Sequence, residues 1–165
     1  MNHDLTGARP SPWSDWPLDR EVVITRLVDA PRAVVYAAWT DPAQLPVWFG
    51  PEGFAIETQE IEITPGGCWR FDMVAPDGTR FTNRMVFRRL EAPALIEVDH
   101  GSDIEDDPAA FRMLVTLDAQ ANGKTIVTLR QMHPTAARRA AVIGFGAFEY
   151  GGQTLDKLAR HAKGR

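Results

Sequence analysis

The chain has 165 residues, 44% of them hydrophobic and 24% charged, with a formal net charge of −4 and one cysteine, Cys68. That length can bury a core without covalent help, while one cysteine excludes an intrachain disulfide and every zinc site built on paired cysteines. The charge gives no basic field for nucleic acid or anionic lipid, and no apolar run approaches the ~20 residues of a membrane-spanning helix.

Residues 1–19 hold Pro10, Pro12, Pro17, Trp13 and Trp16 without helical or strand period, and read as an N-terminal arm before a domain at 20–163. The start lacks the basic and apolar stretches of a secretory signal, so the expected compartment is the cytoplasm. The β-branched run Val22–Val28 predicts a strand, and Asp29-Ala30-Pro31 opens a helix over Ala33–Trp39. Asp41 is placed to cap a second short helix over Pro42–Val47, which Gly50-Pro51-Glu52-Gly53 closes.

Six strands follow, over Phe54–Ile63, Cys68–Val74, Phe81–Leu90, Leu95–His100, Phe111–Ala119 and Thr125–Met132. Pro65-Gly66-Gly67, Pro76-Asp77-Gly78, Glu91-Ala92-Pro93, the acidic loop Gly101–Pro108 and Asn122-Gly123 separate them at hairpin spacing. Ala137, Ala141, Phe145, Phe148, Leu155, Leu158 and Ala162 then mark one face of a long C-terminal helix. Its Gly144, Gly146, Gly151 and Gly152 each cost about 1 kcal/mol against Ala. A kink, a close approach to the sheet, or room for a ligand must offset that. The expected fold is α+β: a curved antiparallel sheet of about seven strands wrapped on a long C-terminal helix, with two short helices after the first strand.

Arg20-Glu21-Val22-Val23-Ile24-Thr25-Arg26, Asp29-Ala30-Pro31, Ala38-Trp39-Thr40-Asp41-Pro42, Trp48-Phe49-Gly50-Pro51-Glu52-Gly53-Phe54, Pro65-Gly66-Gly67 and Pro76-Asp77-Gly78 recur in a known order and spacing. They resemble the START-like (Bet v 1-like, SRPBCC) superfamily, in the branch similar to the C-terminal domain of the activator of heat-shock-protein-90 ATPase. The resemblance runs from about Arg20 to Ala162. It implies a helix-grip fold around a hydrophobic cavity and binding of a small hydrophobic or amphipathic ligand by a carrier, sensor or stress-response protein. It also admits a chaperone as partner, or a cyclase- or hydrolase-like enzyme. Phe49 stands where the family often has a second Trp, and Gly152 where an aromatic is common, so lost bulk at Gly152 is expected to enlarge the cavity or its mouth.

Strand parity gives an independent reading of the inner face. Trp69, Phe71 and Met73 share a face, as do Phe81, Asn83, Met85 and Phe87; Ile96, Val98 and His100; Phe111, Met113, Val115 and Leu117; and Val127, Leu129 and Gln131. A packed core accounts for many of these side chains. A gripped helix, however, cannot fill the concave side of such a sheet, and Met with aromatics suits an adaptable apolar pocket. The expected cavity walls are Trp39, Trp48, Trp69, Phe71, Met85, Phe87, Met113, Phe145, Phe148 and Gly152, with Asn83, His100 and Gln131 as orienting polar groups and a mouth near the Trp48–Phe54 loop.

Signals for chemistry are weak. Ser11, Ser14 and Ser102 lie in no nucleophile-elbow frame. Cys68 falls opposite the apolar face and reads as an inert thiol. The acidic residues from Asp99 to Asp107 lack calcium-loop spacing, and His133-Pro134 reads as a strand-to-helix junction. No catalytic residue, metal or cofactor is expected. Arg80, Arg84, Arg88, Arg89, Lys124 and Arg130 form a possible basic stripe on the outer face, where a protein partner would dock. Monomer and homodimer are both compatible with the sequence.

Overall fold

The structure, a computed structural model, describes residues 18–165. Of the expected arm, residues 1–17 lie outside the described residues. A short 3-10 turn at Leu18–Arg20 leads into β1 (Glu21–Val28), α1 (Arg32–Thr40), α2 (Leu45–Trp48), β2 (Ala55–Ile61), β3 (Cys68–Val74), β4 (Arg80–Glu91), β5 (Leu95–Gly101), β6 (Phe111–Ala119), β7 (Thr125–Met132), α3 (Ala136–Gly144) and α4 (Ala147–Ala162). The expected second helix starts three residues late. Asp41 caps the preceding turn instead: its carboxylate accepts from the Ala43 amide at 2.8 Å and the Gln44 side chain at 3.0 Å.

The seven strands form one antiparallel sheet in the order β1-β7-β6-β5-β4-β3-β2. Hairpin turns make β2 to β7 neighbours in chain order. β1 is separated from β2 by two helices and pairs instead with β7, from Glu21↔Met132 to Val28↔Thr125. Register shifts at Thr58/Glu60 and Phe87/Arg89 bend the ladder, as an extra residue in one strand does. With α4 laid against this curved sheet, the architecture is the helix grip.

The single long C-terminal helix expected from periodicity is two helices. Gly146, at φ +97°, breaks it in a left-handed conformation that a side chain rarely adopts. Farther along, a Cβ on Gly151 would lie 2.2 Å from Ile24 Cδ1, so this glycine lets α4 approach β1 closely. The apolar spacing runs on across the break, yet of its positions only Leu155, Leu158 and Ala162 of α4 are buried, while Ala137, Ala141, Phe145 and Phe148 are exposed; the backbone conformation at Gly146 leaves no trace in that spacing.

The inner faces of the strands, with Val35, Ala38, Trp39, Leu45, Trp48, Leu155 and Leu158 from the helices, make a continuous buried cluster. At its centre the rings interlock. Trp39 meets Trp48 edge-on at 4.7 Å between centroids, Phe49 meets Trp69 at 5.4 Å, and Trp69 stacks on Phe71 at 3.7 Å. Trp48 Nε1 donates to the Ala38 carbonyl (2.9 Å) and Trp69 Nε1 to Thr58 Oγ1 (3.0 Å), which anchors both indoles. Truncating such a buried ring costs about 3–5 kcal/mol.

Candidate ligand-binding cavity

Between the sheet and the α3–α4 elbow lie two adjoining chambers. The larger, of about 390 Å³, is walled on the sheet side by Met73, Asn83, His100, Phe111, Gln131 and His133, and on the helix side by Arg138, Val142, Phe145, Ala147 and Tyr150. Gly101 at the end of β5 and Ser102, Asp107 and Ala109 of the β5–β6 connection complete it. The smaller, of about 150 Å³, continues toward Phe49, Gly50, Pro51, Met113, Leu129, Gly151 and Thr154, sharing Met73, His100, Phe111, Gln131, Ala147 and Tyr150 with the first. The break at Gly146 sits within this helical wall, flanked by Phe145 and Ala147. The larger chamber therefore lies beside the elbow and the β5–β6 connection, and only the smaller one reaches the Trp48–Phe54 loop where a mouth was expected.

The structure divides the residues proposed from sequence. Asn83, His100, Met113, Gln131 and Phe145 line the chambers. Trp39, Trp48, Trp69, Phe71, Met85 and Phe87 do not; they are buried in the ring-packed core and line neither chamber, Trp48 instead bordering a surface cleft with Val47, Lys157, Arg160 and His161. Parity assigns them to the inner face but does not separate its solid part from its hollow part. Phe148 lines neither chamber and is 42% exposed. Gly152 opens no mouth: a Cβ there would meet the Arg26 guanidinium at 2.6 Å, beside the 2.8 Å Arg26–Asp156 ion pair.

Met73 and Phe111 carried the right parity and line both chambers, yet sequence reasoning left them out of the wall. His133, Arg138, Tyr150 and Phe49 were missed too. Finding them requires knowing where the C-terminal helix breaks and where α2 ends.

The polar groups are arranged in a row. His100, Phe111 and His133 follow one another at 5.0 and 4.9 Å between ring centroids. His100 Nε2 lies 2.8 Å from Asn83 Oδ1, while Asn83 Nδ2 donates to the Phe81 carbonyl at 2.9 Å. At the other end His133 Nε2 lies 3.2 Å from Gln131 Oε1, and His133 Nδ1 is buried with no partner. Burial lowers the pKa of His100 from the usual 6.5 to about 4. Burial first, then the charges of Arg138 and Arg139, also lowers that of His133. Both imidazoles are thus neutral at physiological pH, and the row supplies hydrogen-bonding atoms without charge.

Elsewhere the chemistry is structural. Burial, then the nearby Glu60 charge, pushes the Cys68 thiol pKa up, which disfavours a nucleophilic thiolate. Among the described residues no group of three or more His, Cys, Asp or Glu is placed to hold a metal ion, and no helix is long and apolar enough to cross a membrane. The outer-face arginines meet carboxylates: Arg80 with Glu57 and Asp72, Arg84 with Asp103 and Glu105, Arg88 with Asp99, Arg89 with Glu97, and Arg130 with Glu21. The basic stripe seen in sequence is largely a lattice of ion pairs.

The model of the family described as Activator of Hsp90 ATPase homolog 1-like protein matches residues 29–163. The chain belongs to that family. Its fold recurs in solved structures of low sequence identity. A protein from Arthrobacter aurescens superposes with a TM-score of 0.79 at 24% identity, over 87% of this chain and 86% of the other. One from Nitrosomonas europaea gives 0.77 at 21%, over 87% and 94%. The AHSA1 protein from Silicibacter pomeroyi gives 0.66 at 19%, over 85% and 95%. No curated protein matches the chain. The AHSA1 protein and this member of the family therefore share the helix grip.

Proposed function

We propose that this family member binds a small, mainly apolar, amphipathic molecule between the sheet and the α3–α4 elbow, as a carrier or sensor. The observation that carries this is the 390 Å³ chamber, whose apolar walls hold a few converging polar groups. Ligand sites typically occupy roughly 300–1,000 Å³ and combine apolar walls with few polar contacts. Burial of ligand surface would supply the affinity, at about 25 cal/mol per Å² before the costs of association. Asn83, His100, Gln131 and His133 would set the ligand's orientation. Docking on a chaperone has the family's description in its favour, but the outer-face arginines that would serve it are already ion-paired.

Native mass spectrometry of freshly purified protein, followed by denaturing extraction, tests the proposal. A reproducible bound mass is expected, lost in Ala147→Trp, because Ala147 faces both chambers. Gly152→Trp is the wrong control, since it strikes Arg26 instead. An apo mass that stays unshifted against a panel of lipids and aromatic compounds would overturn the proposal.

A further inference from the structure

The cavity contains one hydrogen-bonding atom whose role is fixed by its surroundings. Asn83 Nδ2 donates to the Phe81 carbonyl, so Asn83 Oδ1 faces His100 and must accept from it. That places the imidazole proton on Nε2. His100 Nδ1 is left as a bare lone pair, and among the described residues nothing donates to it. His133 differs, because the Gln131 amide has no second partner to fix its orientation and so does not choose a tautomer.

Resting on the cavity reading above, we propose that the site selects aromatic alcohols, with the ligand hydroxyl donating to His100 Nδ1 and its ring lying among Phe49, Phe111 and Tyr150. Those three side chains line the chambers around His100, with ring centroids of Phe111 and Phe49 at 5.0 and 6.4 Å from the imidazole. They offer faces and edges to a flat ligand. A ligand presenting only an acceptor would oppose lone pair to lone pair. The charged residues of the wall, Arg138 and Asp107, line only the larger chamber; in the smaller one, where His100, Phe49, Phe111 and Tyr150 meet, an anion faces a neutral imidazole and a protonated amine would carry its charge among mainly apolar side chains at high desolvation cost. A phenolic hydroxyl, with a pKa near ~10, brings a neutral donor on a flat apolar body.

The test compares 2-naphthol with 2-methoxynaphthalene, which keeps the ring system and removes the donor. Titration at neutral pH is expected to give about tenfold tighter binding of the naphthol, the usual consequence of leaving a buried acceptor unsatisfied. His100→Phe should bring the two affinities within twofold of each other. In the wild-type protein, the Nδ1 resonance of His100 in ¹⁵N NMR should move on addition of the naphthol and stay in place with the ether, a readout that needs no variant. Equal affinities, a preference that survives His100→Phe, or an unmoved Nδ1 resonance would overturn the assignment while leaving the cavity as a binding site. Failure of both compounds to bind would remove the cavity reading and this one with it.

Discussion

His100 is buried as a neutral imidazole, and that has a cost in acid. In the unfolded chain it takes a proton near pH 6.5, whereas in the folded protein it resists protonation until about pH 4. The unfolded state thus binds more protons between these values, so stability falls as the pH drops from about 6.5 to about 4, by roughly 3 kcal/mol from this group. His133 and His161, whose pKa values burial also lowers, act in the same direction. The outer-face carboxylates act in a lower window. Hydrogen bonds from Arg70, ahead of those from Arg84 and against some burial, hold the Asp103 pKa below the usual value of 3.8, so its contribution is lost only as the pH falls below that value. Urea unfolding at intervals from pH 7 to pH 4 should show the first loss in wild type and a much flatter profile in His100→Phe. An equally steep profile in the variant would assign the titration to other groups.

At the scale of elements, α4 and β1 meet where Gly151 faces Ile24. Ala in place of Gly helps a helix by about 0.5–1 kcal/mol, but overpacking a core typically costs about 1–3 kcal/mol. Gly151→Ala should therefore destabilise by about 1 kcal/mol in a denaturant titration. In an Ile24→Val background, where the Cδ1 atom is absent, the same substitution should be neutral or stabilising; simple additivity would contradict this packing account. The same elements show what a sequence discloses. The strands were legible to within about two residues, because alternation and turn residues are local signals. The break at Gly146 was not, because the apolar periodicity runs through it and a left-handed φ can be read only from coordinates. Asn83, His100 and Gln131 were legible as polar residues on inward parity. Trp39, Trp48 and Trp69 were misplaced in the cavity wall because hollow and solid regions of one sheet face share the same pattern.

For the whole molecule, the outer surface is stabilised by many exposed and half-exposed ion pairs of modest individual worth. Reversing Arg84 and Arg88 to Glu sets new carboxylates against Asp103, Glu105 and Asp99. The expected result is a melting temperature a few degrees lower at low ionic strength, with part of the loss recovered in high salt as the repulsion is screened. A variant unchanged in melting but deficient in capturing a chaperone would instead return the arginine face to a docking role. Family and fold were legible because they rest on motifs spread along the chain. The position of the cavity was not, since it depends on how α3 and α4 meet the sheet.

The pairing of β1 with β7 also sets a schedule. During synthesis β1 emerges first, yet the strand that must accept its hydrogen bonds and the helix that must cover it are made roughly a hundred residues later. Until then β1, with its run Val22-Val23-Ile24, is an apolar strand with open edges, the form most prone to pair with another chain. Closure of so distant a contact is slow. Through most of synthesis the chain therefore holds an open apolar strand whose pairing partner does not yet exist.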